Sequence, residues 1–161
     1  MIVVVWGVSG CGKTTVAKLL AKKLDWQFLD ADDFHSTENI EKMRQGRPLN
    51  DKDRKPWLDE IAQQLMTINQ SGASATLACS ALKLAYRDLL GINEKTVRSV
   101  LLHGDQQAIQ QRLENRQHEF MNKDLLNSQF QTLEADTTGI KVSIQQSPSE
   151  ICHEIRRQLQ I

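Results

Sequence analysis

Residues Gly7 to Thr14, GVSGCGKT, match the spacing G-x-x-x-x-G-K-[ST], which builds one particular kind of anion site. Glycines let successive backbone N–H groups turn inward around phosphate oxygens, and a helix opening directly behind them adds roughly half a positive charge. Lys13 then meets the β- and γ-phosphates of a nucleoside triphosphate, and the Thr14 hydroxyl faces Mg²⁺. The candidate nucleotide set is therefore Gly7, Val8, Ser9, Gly10, Cys11, Gly12, Lys13, Thr14 and Thr15. Cys11 occupies a free position of the motif near a helix N-terminus, which would stabilise its thiolate and predicts oxidation-sensitive activity. The alternative for Cys11 is a small space-filling side chain.

A second constellation, FLDADDFH, places Asp30, Asp32 and Asp33 after an apolar pair. Period two predicts that Asp30 and Asp32 share a sheet face at the carboxyl end of a strand, on the rim where open α/β sheets bind ligands. One carboxylate can support the metal while the other faces an acceptor hydroxyl. Phosphoryl transfer through a loose transition state asks only that a carboxylate align the hydroxyl and take its proton late. Against this stand solvated loop acids for Asp32 and a helix cap for Asp33. A GTPase switch is disfavoured because NKDL at 122–125 has the wrong order for N-K-x-D, and a motor ATPase because TLACSA ends without an acid.

Elements must hold these groups on one rim. Five short apolar runs, at 2–6, 27–31, 75–79, 99–103 and 141–145, read as strands, and the first and fourth are apolar at nearly every position. Helical patterns lie between them. Ser36 or Thr37 starts one and Gly46 stops it; Asp51 can start another, with the regular helix expected from about Pro56; Ser147, Pro148 and Glu150 open the last. Strands alternating with helices predict a mostly parallel sheet in a single domain over 1–161. The polar stretch RQHEFMNKD, 116–124, is the candidate flap.

Twenty Lys plus Arg balance twenty Asp plus Glu, so no global field draws the chain to nucleic acid or to an anionic membrane. Three widely spaced cysteines without a C-x-x-C pair argue against a disulfide framework or structural zinc. MIVVVW is too short for a signal-peptide core, and a cytoplasmic protein with reduced thiols is expected.

The segments GVSGCGKTT, FLDADDFH, NIEKMRQGRPLNDKDRKPWL, CSALKLAYRDLL and LLNSQFQTLE together resemble the gluconokinases, P-loop small-molecule kinases related to shikimate kinase. The resemblance implies ATP-dependent phosphorylation of D-gluconate to 6-phospho-D-gluconate. It also implies a three-layer α/β/α fold with a five-stranded parallel sheet of order 2-3-1-4-5, a helical lid over approximately 112–128, and a homodimer. By similarity to shikimate kinase, Asp30 would back Mg²⁺ beside Thr14, and Asp32 would meet the acceptor hydroxyl. The family reads Gly-His-Phe and then proline where this chain has His118, Glu119, Phe120, Met121 and Asn122, and a common proline after His35 is replaced by Ser36. Shikimate kinases lack the long NIEKM to PLNDKDRKPWL insertion, which disfavours a shikimate acceptor. Glu119 motivates a different class of reading, a nucleotide-binding regulatory module with weak turnover.

An acidic polyol needs a cation for its carboxylate and mixed donors and acceptors for its hydroxyls. Arg54 is one candidate, with an ion pair to Asp51 or Asp53 as the alternative. Lys83 and Arg87, four apart, are expected to share a helix face near the rim, the alternative being a solvated basic face. His35 serves either a sugar hydroxyl or a structural hydrogen bond. Arg112 and Arg116 lead into the flap, where one or both would close over ATP, with Arg116 as the catalytic candidate; ordinary surface arginines are the alternative. QQSPSE, after the fifth strand, can offer backbone groups to adenine.

Overall fold

The computed structural model describes residues 1–93, 95–115, 123–134 and 139–161. Its strands are β1 (Ile2–Trp6), β2 (Gln27–Asp30), β3 (Ala75–Cys79), β4 (Val97–His103) and β5 (Ile140–Ser143), joined in the order β2-β3-β1-β4-β5. Every pairing is parallel. The helices are α1 (Lys13–Leu24), α2 (Thr37–Arg44), α3 (Asp51–Gln70), α4 (Leu84–Leu89), α5 (Gln106–Asn115), α6 (Lys123–Thr132) and α7 (Pro148–Leu159). The expected α/β architecture and strand order are both observed.

The continuous apolar run of β1 has a direct cause. Val3 and Val5 face a core shared with Val16 and Leu20 of α1, Ile109 of α5, Leu126 of α6 and Ile155 of α7. Ile2, Val4 and Trp6 face the opposite core, with Leu58 and Ile61 of α3 and Tyr86 of α4. Because side chains alternate across a strand, covering both faces of the sheet buries every position of β1. The register aligns Trp6 with Cys79 and, across β3, Ala78 with Asp30, so the carboxyl ends of β1, β2 and β3 form one rim.

The helix starts follow their caps. Ser36 Oγ accepts from Asn39 N at 3.1 Å, and Ser147 with Glu150 forms a full capping box ahead of Pro148. α3 begins earlier than expected, at Asp51 rather than near Pro56, because Asn50 and Asp53 form a second capping box. Pro56 therefore sits in the second turn, where its missing N–H deprives only the exposed Lys52 carbonyl. Asn39 Nδ2 donates to Asp53 O at 2.9 Å and Lys42 Nζ to Asp53 Oδ2 at 2.6 Å, which fastens α2 to the start of α3. The expected lid spans the end of α5 and most of α6; its centre, 116–122, lies outside the described residues. No described helix is long and apolar enough to cross a membrane.

Candidate active site

β1 feeds the glycine loop directly into α1. Gly7 has φ +143°, and a Cβ there would stand 2.7 Å from the Leu102 carbonyl, so the loop enters where only glycine fits. Gly12, the residue before α1, has φ +97° with open space around it, so its backbone conformation alone selects glycine. Lys13 Nζ donates to Val8 O at 3.0 Å, folding the ammonium back over the loop. Thr15 is exposed on the first turn of α1. Ser9 is gripped from α6: its backbone N–H donates to Gln129 Oε1 at 2.7 Å, and Gln129 Nε2 donates to Ser9 Oγ at 3.0 Å.

Cys11 corrects the expectation of an activated thiolate. It is 1% exposed within the core, and burial pushes its thiol up, outweighing the opposing pull of Lys13. The space-filling alternative describes it.

The aspartates reach the same rim by a different route from period two. β2 ends at Asp30, and Ala31–Phe34 turns into a short 3₁₀ helix capped by Asp30 Oδ1, which accepts from Asp32 N at 3.2 Å. The alternation of a strand does not extend to Asp32, because a tight turn with a side-chain cap wins over extension. Asp33 lies within this turn, and Ser36 rather than Asp33 caps α2. Thr14 Oγ1 donates to Asp30 Oδ2 at 3.1 Å, so the last motif residue and the first aspartate meet. Asp32 is 88% exposed at its side chain; its carboxyl is nevertheless held above the usual range, first by the surrounding protein and then by Asp30, against His35 and Lys13.

His35 stacks on Trp57, with ring centroids 4.4 Å apart and planes 13° from parallel. Trp57 is fixed in turn by donating from Nε1 to Ala31 O at 2.7 Å. The His35 side chain is 7% exposed, and its Nε2 stands 3.9 Å from Asp32 Oδ1. Its buried Nδ1 has no hydrogen-bond partner among the described residues. Burial lowers its pKa, Asp32 opposes this and Arg54 adds to it, so a neutral imidazole stands beside Asp32.

Beyond His35 lies a polar cluster. Arg54 Nη1 donates to Tyr86 Oη at 3.3 Å, the Tyr86 hydroxyl donates to Asp51 Oδ1, and Lys83 Nζ donates to both Asp51 oxygens at 2.8 and 3.0 Å. Hydrogen bonds from Lys83 and then Tyr86 lower the Asp51 pKa. Arg54 thus joins Tyr86, while Asp53 pairs with Lys42 and Asp51 with Lys83.

Lys83 and Arg87 do not share a solvated face. α4 begins only at Leu84, Lys83 is its N-cap, and Arg87 is 1% exposed. Arg87 Nη1 donates to Ala81 O at 2.7 Å and Leu82 O at 3.1 Å, Nη2 donates to Glu134 O at 2.6 Å, and the guanidinium stacks over Trp6 at 4.0 Å. Its planar fork suits that carbonyl cage, which sits beneath the rim. Arg112 Nη2 donates to Ile144 O, just past β5 and beside the segment considered for adenine. Arg116 lies outside the described residues.

Tyr86, Trp57, Gln129 and Glu134 were not singled out from sequence, and Asp51 only as a helix start and a possible ion-pair partner of Arg54. Tyr86 and Gln129 lie in segments that carried the resemblance, yet their partners are 35 and 120 residues away, beyond the reach of spacing arguments.

The family model described as shikimate kinase matches residues 9–160. The chain is 41% identical to a gluconokinase of Arabidopsis thaliana, covering 96% of this chain and 89% of that one. It is also 41% identical to a gluconokinase of Gluconobacter oxydans, covering 98% and 90%. A solved gluconokinase from Sinorhizobium meliloti superposes with a TM-score of 0.86 at 36% identity, over 98% of this chain and 90% of that one. With the phosphate loop, the aspartate turn and the α2–α3 insertion all in place, the chain belongs to the gluconokinases, within the wider shikimate kinase family.

Proposed function

We propose that this protein is an ATP-dependent gluconokinase that transfers the γ-phosphoryl group to a terminal hydroxyl of D-gluconate, giving ADP and 6-phospho-D-gluconate. The observation that carries this reading is the 3.1 Å contact between Thr14 and Asp30, which joins the phosphate loop to the aspartate turn. The loop amides and Lys13 stabilise charge on the phosphates, while the Asp32 carboxylate orients the acceptor hydroxyl. As the acceptor oxygen bonds to phosphorus, the bond from phosphorus to the ADP oxygen breaks and the hydroxyl proton passes to Asp32. The raised pKa of Asp32 suits it to hold that proton late in the step.

The residues fit a divalent cation: a hydroxyl and a carboxylate lie together at the phosphate end of the loop, oxygen donors of the kind Mg²⁺ takes. Thr14 would hold the ion directly and Asp30 would support it. When bound, Mg²⁺ neutralises charge on the phosphates.

On the acceptor side, His35 stands stacked on Trp57 with Nε2 beside Asp32, where it would meet a sugar hydroxyl, and Arg54 and Lys83 offer cations for the carboxylate. Arg87 supports this wall from beneath through its carbonyl cage. Arg112, with Arg116, completes the nucleotide side in the same reading, next to an adenine contact from the segment after β5. A cytoplasmic homodimer belongs to the proposal, and sedimentation checks its oligomeric part.

The test is coupled ADP release with gluconate, shikimate and other sugar acids. Gluconate-dependent ADP release is expected; ATP binding without any acceptor-dependent turnover would favour the regulatory-module reading.

A further inference from the structure

The phosphate loop is held by few bonds of its own. Gly7 N reaches Ser80 O at 3.3 Å and Cys11 N reaches Val8 O at 3.4 Å, both long. The two-point contact from Gln129 to Ser9, at 2.7 and 3.0 Å, is tighter and comes from 120 residues away. A carboxamide is suited to this, presenting one acceptor to the backbone N–H and one donor to the hydroxyl. Lys13 Nζ lies on Val8 O, next to Ser9, so Ser9 adjoins the ammonium expected to meet the β- and γ-phosphates.

The chain leaving α6 also grips the acceptor side. Glu134 N donates to Leu82 O at 2.9 Å, Glu134 Oε2 accepts from Leu84 N at 2.6 Å, and Glu134 O accepts from Arg87. Lys83 lies between the anchor points at Leu82 and Leu84. One segment therefore holds the phosphate loop at Ser9, beside Lys13, and the start of α4 on either side of Lys83.

We propose that Gln129 is a positioning residue for the γ-phosphoryl group, acting through Ser9, and that α6 fixes this end of the loop relative to α4. The inference rests on the kinase reading for its catalytic consequence, but not for its nucleotide preference. Gln129→Leu removes both bonds; Gln129→Glu preserves them, since the Ser9 hydroxyl can donate to a carboxylate, and adds a negative charge beside the γ-phosphate.

The experiment measures Tm, affinity for a non-hydrolysable ATP analogue and for ADP, and kcat with both KM values. For Gln129→Leu, ATP-analogue affinity should fall about tenfold while ADP affinity and the KM for gluconate stay within about threefold, and kcat should fall at least about tenfold. Gln129→Glu should keep the wild-type Tm and still lose ATP-analogue affinity selectively. An unchanged ATP-to-ADP affinity ratio in Gln129→Glu at wild-type Tm would overturn the proposal, as would equal loss of both nucleotides in a folded Gln129→Leu. If Gln129→Leu fails to fold, the Glu variant decides. Failure of the wild type to phosphorylate gluconate would remove the substrate assignment and leave the affinity ratio as the independent test.

Discussion

The hydroxyl of Thr14 lies 3.1 Å from a carboxylate oxygen of Asp30, and the other oxygen of the same carboxylate accepts the backbone N–H of Asp32 at 3.2 Å. One side chain thus connects the phosphate loop to the turn that carries Asp32. Replacing Asp30 with Ala removes both links at once. The expected result is a loss of kcat on the order of 10²-fold and a higher Mg²⁺ concentration for half-maximal rate, measured by titrating Mg²⁺ at saturating ATP.

Asp32 also makes a prediction about stability. Its pKa is raised in the folded state, so between the unfolded and folded values the native protein binds more protons. Stability from this group is present below the unfolded pKa and is lost as pH rises through the folded one. The ionised carboxylate therefore opposes folding at neutral pH, but only weakly, because its side chain is 88% exposed and solvent screens the effect. Asp32→Asn should show a Tm equal to or above wild type at pH 7, with that gain shrinking as pH falls towards about 4. A lower Tm for Asp32→Asn at pH 7 would contradict the sign.

Arg87 should behave as a structural cation. Truncation to Ala leaves the Ala81, Leu82 and Glu134 carbonyls without this donor, at a cost of about 3 kcal/mol by denaturant titration. Lysine should recover little, because it lacks the planar fork. A folded Arg87→Ala with wild-type Tm and a KM defect confined to gluconate would instead make Arg87 a direct substrate ligand.

All three cysteines are buried and their thiols are raised, Cys79 to about 12. The native protein should resist iodoacetamide at pH 8 and react fully once unfolded, as followed by mass spectrometry. Peroxide should inactivate wild type and Cys11→Ser at the same rate; a protected Cys11→Ser would restore the redox expectation.

The phosphate loop was legible in sequence because its demands are local: Gly7 and Gly12 are fixed by backbone angles, and Lys13 and Thr14 by their place at a helix start. The sheet order followed from the resemblance, and its parallel strands from apolar runs that alternate with helical patterns. Asp30 and Asp32 were expected to share a sheet face by period two, and a capped 3₁₀ turn replaces that alternation at Asp32. Arg87 misled because α4 starts only at Leu84 and because its cage draws on Trp6 and Glu134 from other segments. The Gln129 grip on Ser9 exists only once α6 has packed beside the loop. Local rules carried the phosphate loop, and tertiary contacts decided the cluster around Asp51, Tyr86 and Arg87.

Asp32→Asn, compared with wild type for ATP-analogue affinity and for gluconate-dependent ADP release, probes the acceptor role most directly. Retained nucleotide affinity with kcat reduced by about 10² to 10⁴ is the predicted result. A kcat within a few-fold of wild type would mean that the hydroxyl is aligned by another group.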